Sequence, residues 1–386
     1  MLERDGLRES SISTTTVLLG AGASVEAGLP TAAGLTSQTQ EWLWHHLEPT
    51  CGRPPTTARA QAFDELVKLA KKYDIAKGMT DPVIDIERIF SLCELLQSRD
   101  DPDVGPVIER WRNVPTAGLD IDVAGMLMTT MQQALRDLLT PSAPDKFDYL
   151  QQIFGMTTRI ATLNMDCGVE QAAKSARVPL SLGMDLWRGG VDWKWESDEH
   201  RLLKLHGSID RHFVSGSELS GAGETSKPAY PLIPSNDDEF IYAPGVIFGR
   251  RGKFRPEGPF LAMWLEFRRW LTQTRHLVVC GYSFRDTHIN HLIEEWSTTQ
   301  PGATLSVIDP ALPAPLGSDW NPAMGPPETP NLYHAALLEY EACKGSPAWC
   351  PNFPTRWLRS NPELVLVRQG ANEGLTTIAE QRQATS

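Results

Sequence analysis

The chain has 386 residues, long enough to bury a full core and to hold two or three subdomains. Hydrophobic content of 41% and charged content of 22% are those of a globular protein. A net charge of −12 speaks against a surface that binds nucleic acid directly or an anionic membrane. The six cysteines form no Cys-x-x-Cys pair, so no zinc ribbon is signalled and no metal site is expected. Neither the opening Met-Leu-Glu-Arg-Asp nor any apolar run reads as a signal peptide or membrane span, so a cytoplasmic protein is expected.

In chain order, Thr14 to Leu19 is a β-branched apolar strand that runs into Gly20-Ala21-Gly22-Ala23-Ser24. Strand, glycine-rich turn and following helix make a phosphate cradle, because backbone N–H groups and a helix dipole meet the anion there. By itself this signal is weak. Val25 stands where the dinucleotide fingerprint has its third glycine, and no acidic residue ends a second strand at the usual distance. Ser24 suits either a phosphate or a helix cap. From Trp42 to Leu150 the apolar spacing turns helical, with Phe63, Leu66, Val67, Ala70 and Tyr73, then Ile86, Ile89, Phe90, Cys93 and Leu96, then Val123 to Leu138. This predicts a helical insertion over 48–149, in which Asp85-Ile-Glu87 is a solvated helix start.

Arg159 to Glu170 is the central stretch: a buried strand ending in Thr162-Leu-Asn164-Met-Asp166, then a helix. In open α/β sheets ligands sit beyond the carboxyl ends of strands, so an amide and a carboxylate at this place face a ligand. The bland alternative is Asp166 as N-cap. Leu202 to Leu205 is a strand leading to His206-Gly207-Ser208, preceded by Trp187, Trp193 and Trp195, which read as packing residues. Ser215 to Lys227 is a polar loop, and Gly249 to Arg255 is a basic loop. Phe260 to Thr272 is a helix and His276 to Cys280 a strand, followed by the turn Gly281-Tyr-Ser283-Phe-Arg-Asp286-Thr-His-Ile-Asn290. Thr304 to Ile308 is a strand ended by Asp309. A Pro-rich crossing, a helix near Leu332 to Cys343 and a strand over Glu363 to Val367 follow, and the tail beyond Gly370 is expected to be frayed or held by a partner.

Alternating strands and helices predict an α/β fold, a Rossmann-like parallel sheet with helices on both faces and an inserted helical subdomain. Such a sheet brings four turns to one edge: Gly20–Ser24, Asn164/Asp166, His206, and Gly281/Ser283/Asp286. These turns, taken in order, resemble the sirtuin superfamily. Gly20-Ala-Gly-Ala-Ser24 with Gly28-Leu-Pro30, Thr162-Leu-Asn164-Met-Asp166, Lys204-Leu-His206-Gly-Ser208 and Gly281-Tyr-Ser283 carry the likeness. It is closest to the bacterial sirtuin-like NAD-hydrolysing proteins of antiphage defence, through the Leu-His-Gly-Ser run, the Gly281 to Asn290 turn and the Asp85 to Glu87 helix.

The resemblance implies a NAD-binding core over 12–47 and 150–310 and a C-terminal extension, 311–386, that contacts an oligomer or a partner. It implies NAD as substrate, with Asn164, His206 and Asp166 as catalytic residues. Gly20, Ala21, Gly22, Ser24, Thr31, Gly281, Ser283, Asp286 and Asp309 would bind the dinucleotide. Protein-deacylating members carry Asp-Phe-Arg after Gly-Ile-Pro and a four-cysteine zinc module, whereas here Thr31-Ala-Ala follows Pro30 and the module is missing. The expected activity is therefore NAD+ hydrolysis in a homo-oligomer, with a separate DNA-translocase-type ATPase or short Argonaute as partner. A non-enzymatic NAD or ADP-ribose sensor and an NAD-dependent deacylase are the alternatives.

Overall fold

The computed structural model describes residues 15–46, 56–97, 121–196, 199–213, 232–234, 244–246, 259–300, 302–312 and 363–385. The polar loop after Ser215, the basic cluster at 249–255, the Pro-rich crossing beyond Leu312 and the helix expected at 332–343 lie outside them. The chain divides into two compact units, the first comprising Met1–Gly28, Ser142–Leu205 and Ala262–Ser386, the second Leu29–Pro141 and His206–Leu261.

The first unit is built on a seven-stranded sheet. Its strands are β1 (Thr15–Leu19), β2 (Arg159–Thr162), β3 (Leu180–Ser181), β4 (His200–Lys204), β8 (His276–Cys280), β9 (Thr304–Ile308) and β10 (Glu363–Val367), in the order β10-β9-β8-β1-β2-β4-β3 with every pairing parallel. All five residues of β1 are buried, as are the last four of β8 and of β9. That is why these strands read as continuous apolar runs: a parallel sheet is covered on both faces. From β1 the chain goes first to one side, β2 and β4, and later to the other, β8 and β9. The order therefore reverses at β1, and such a switch point is where open α/β sheets place their ligands.

Leu19 is level with Thr162 and Cys280, and Cys280 with Ile308. The ladder continues one residue past the strands: Leu163 N–H donates to Leu19 O, Gly20 N–H to Cys280 O and Gly281 N–H to Ile308 O, each at 2.9 Å. The turns after these strands thus leave the sheet at one edge.

One helix takes a tighter form than usual, and one expectation needs correction. The element after the glycine-rich turn is a seven-residue 3-10 helix, Ala21–Ala27. Gly28 stops it with φ 88°, a left-handed conformation that favours glycine. The tail beyond Gly370 is not frayed. Ala371–Thr385 is a helix whose Ala371, Leu375 and Ile378 are at most 4% exposed. Arg382 on it donates to the Thr15 hydroxyl, and β10 before it extends the sheet.

Among the described residues the second unit holds four helices, α1 (Ala32–His45), α2 (Thr56–Ala76), α3 (Ile86–Gln97) and α4 (Ile121–Leu138), and an antiparallel sheet ordered β6-β5-β7 from β5 (Gly207–Phe213), β6 (Leu232–Pro234) and β7 (Pro244–Val246). Sequence patterning did not signal this sheet. Phe63, Ile89, Phe90, Cys93, Leu127, Met131 and Leu135 are at most 2% exposed. Side chains of this size contribute roughly 1.5–3 kcal/mol each on full burial. Asp85 does start α3, accepting from Arg88 N–H at 2.8 Å.

Candidate active site

Residues 142 positions apart meet at the edge of the first unit's sheet. The Ser24 hydroxyl donates to Asp166 Oδ2 at 2.8 Å and accepts from Asn164 Nδ2 at 2.9 Å. Ser24, Asn164 and Asp166 are 3%, 9% and 6% exposed. Asn164 is aimed by the end of β2, since its own N–H donates to Thr162 Oγ1 at 3.0 Å. Asp166 serves two ends at once. Its Oδ1 accepts from Gly168 N–H at 2.9 Å, opening the helix α6 (Gly168–Ala176), while Oδ2 holds Ser24. Asp166 is therefore not the helix N-cap, which is Cys167; it closes the turn just before the helix and ties that turn to Ser24. Asn164 Oδ1, by contrast, is buried with no hydrogen-bond partner among the described residues. Leaving such an acceptor unsatisfied costs about 1–3 kcal/mol, and a site that keeps one is set to receive a donor.

The glycines let the two turns approach each other closely. Gly281 sits at φ 64°, and a Cβ there would lie 2.1 Å from Ala23 N; a Cβ on Gly22 would lie 2.8 Å from Gly281 Cα. Gly22 N–H donates to Gly281 O at 2.8 Å. The two turns are therefore pressed backbone to backbone, and the N–H groups of Gly20 and Gly22 are spent within the fold.

The remaining candidates sort by surroundings. Ala21 is half-buried and Ser283 exposed. Asp286 caps the helix Thr287–Thr299, accepting from His288 N–H at 3.0 Å, and Tyr282 donates to Asn290 Oδ1 at 2.8 Å while Asn290 Nδ2 donates to Phe284 O at 2.8 Å. The Gly281 to Asn290 motif is thus a turn-closing device. Asp309, half-exposed past β9, accepts from Ala311 N–H at 2.8 Å. Thr31 and His206 belong to the second unit. There Thr31 is the exposed N-cap of α1, and His206 is 4% exposed at the head of β5.

Two residues escaped the sequence reading. Tyr149, in the 3-10 helix Pro144–Gln151, donates its hydroxyl to Ala23 O at 2.5 Å. Burial pushes its phenol up, and the Asp166 and Glu26 carboxylates push it further, so it stays a donor. Lys204, 0% exposed, donates to Asp166 O at 2.6 Å and to Glu170 Oε1 at 2.7 Å. A tyrosine far from any strand end has no local signal. A lysine two residues before His206 did have one. Among the described residues no group of three His, Cys, Asp or Glu side chains is placed to hold a metal, and no helix is long and apolar enough to cross a membrane.

The fold is thus a doubly wound parallel α/β sheet, with an amide, a hydroxyl and a carboxylate joined at the switch point where such sheets place their ligands. Residues 158–312 match the family model of the SIR2-like domain. Among solved structures, the chain is similar to a Sir2 homologue in complex with NAD, at 14% identity, covering 99% of this chain and 96% of that one with a TM-score of 0.41. It is also similar to a mutant Sir2 homologue in complex with ADP-ribose, at 16% identity, covering 99% and 97% with a TM-score of 0.38. No curated protein sequence matches the chain.

Proposed function

We propose that this protein is an NAD+ glycohydrolase that releases nicotinamide and ADP-ribose, and that it acts as a triggered antiphage effector that depletes cellular NAD+. The buried, unpartnered Oδ1 of Asn164, held by Ser24 beside Asp166 at the switch point, carries this reading. The SIR2-like match over 158–312 supports the choice of dinucleotide. The C1′–N bond breaks with its electron pair leaving on the pyridinium nitrogen, so nicotinamide departs neutral and positive charge develops on the ribose, as in glycoside cleavage. Asn164 Oδ1 accepts from a ribose hydroxyl or from the attacking water. Asp166 supplies negative charge near the cationic ribose and keeps Ser24 and Asn164 oriented. Water adds through its oxygen to C1′, and His206, assigned from the Leu-His-Gly-Ser motif, takes its proton. Ala21, Ser24, Thr31, Ser283, Asp286 and Asp309 contact the rest of the dinucleotide.

Such an activity harms its own cell and needs restraint. A homo-oligomer, or a separate DNA-translocase-type ATPase or short Argonaute, is the proposed trigger, and a reading frame of either type beside this gene would support it. The test of the chemistry is direct. Purified full-length protein given NAD+ releases nicotinamide and ADP-ribose without any acyl-peptide, and Asn164→Ala and His206→Ala abolish release while thermal unfolding shows both folded. Turnover equal to the parent in both variants would sink the mechanism. Tight NAD+ binding without turnover, with the partner present, would make the protein a sensor.

A further inference from the structure

Lys204 is a buried cation the proposed reaction does not use, and it lies under the residues that do. It has no exposed surface, ends β4 and reaches sideways beneath the Asn164–Asp166 turn. It donates to the Asp166 main-chain oxygen at 2.6 Å and to Glu170 Oε1 at 2.7 Å. Glu170 is the third residue of α6, the position from which a glutamate commonly reaches back to the helix cap. Here it is turned onto the lysine.

The consequence for Asp166 is geometric. The peptide between Asp166 and Cys167 is trans, so its carbonyl and N–H point in opposite directions. Drawing the carbonyl onto Lys204 fixes that plane. Anchoring Glu170 to the same ammonium fixes the first turn of α6, whose Gly168 N–H holds Asp166 Oδ1. Backbone and side chain of Asp166 are thus both set from below, and through Ser24 so is the amide of Asn164.

We propose that Lys204 is a positioning residue for the Asp166–Ser24–Asn164 chain, and that its place in the molecule is more than that of one half of a buried ion pair. This rests on the reading of the site as NAD+-cleaving, and the two can fail separately. Full-length Lys204→Met, Glu170→Met and the double variant are compared with the parent for kcat, KM, thermal midpoint and amide exchange over residues 163–168. Misplacement of order 1 Å at a reacting group costs about a hundredfold, so Lys204→Met is expected to lose about that in kcat while KM moves less than about threefold. Replacing a whole buried ion pair by apolar side chains commonly restores stability. In the double variant the midpoint therefore returns to the parent's, while kcat stays low and exchange over 163–168 stays fast. A double variant with parental kcat and parental exchange overturns the proposal. Should Lys204→Met alone not fold, the double variant decides by the same readouts. If the parent turns over no NAD+, the reading of the site fails. The exchange measurement then decides for Lys204: faster exchange in the double variant supports it, and unchanged exchange overturns it.

Discussion

Asn164 reaches Asp166 through a third side chain: its Nδ2 donates to Ser24 Oγ at 2.9 Å, and that hydroxyl donates to Asp166 Oδ2 at 2.8 Å. The relay runs one way, because the serine has one proton and gives it to the carboxylate. This leaves Asn164 Oδ1 as a buried acceptor with no partner among the described residues.

Ser24→Ala follows from that relay. It strands a buried amide and one carboxylate oxygen, so stability falls by about 1–3 kcal/mol, and loss of an oriented polar group lowers NAD+ turnover by roughly a hundredfold or more. Denaturant unfolding and nicotinamide release measure the two. Unchanged turnover would mean that the hydroxyl is a packing feature.

Tyr149→Phe removes one hydroxyl, the one donating to Ala23 O, and leaves the ring in place. A single such bond contributes about 0.5–1.5 kcal/mol, so the variant is expected to fold. With the Ala21–Ala27 turn freed, NAD+ affinity weakens by calorimetry more than the midpoint falls. A shift in midpoint with parental affinity would confine Tyr149 to the scaffold.

Glycines 190 and 281 test the meeting of the two turns. Both hold positive φ, 80° and 64°, but a Cβ on Gly190 meets nothing within 4 Å while one on Gly281 lies 2.1 Å from Ala23 N. Gly190→Ala is expected to cost about 1–2 kcal/mol from the backbone alone. Gly281→Ala adds a clash against main chain that cannot move aside, and soluble yield drops or the midpoint falls well below that of the first variant. Equal effects would show that the approach is relaxed at no penalty.

His276 links stability to pH. Burial, with Arg382 nearby, pulls its imidazole from the usual 6.5 down to about 4, and Nε2 lies 2.8 Å from Ser306 Oγ. The folded state therefore binds this proton less readily than the unfolded chain. The neutral ring's contribution is complete above pH 6.5, declines as pH falls toward 4, and amounts to about 1–3 kcal/mol by linkage. His276→Gln is expected to flatten the loss of midpoint between pH 7 and 4.5 relative to the parent. An identical slope in both proteins would remove His276 from the account.

Strand positions in the large sheet were legible in the chain because β1, β8 and β9 are buried on both faces, and burial leaves only apolar, β-branched runs. Asn164 and Asp166 stood out for the same reason: an amide and a carboxylate directly after such a run stand where a strand end meets a ligand or the next helix begins. Tyr149 was not legible, because a phenol on a 3-10 turn acquires meaning only from partners elsewhere in the fold; Lys204 stood in the Lys-Leu-His-Gly-Ser run, but its bonds to Asp166 and Glu170 needed the fold.

The order of the chain alone determined that an α/β sheet forms and that amide, hydroxyl and carboxylate stand near strand ends, since apolar periodicity is a local property. Only the tertiary structure decided what those groups do to one another. Parallel register made Leu19, Thr162 and Cys280 level. That registration turned Gly22 and Gly281 into surfaces for each other, and made Ser24 the bridge between two residues more than a hundred positions away.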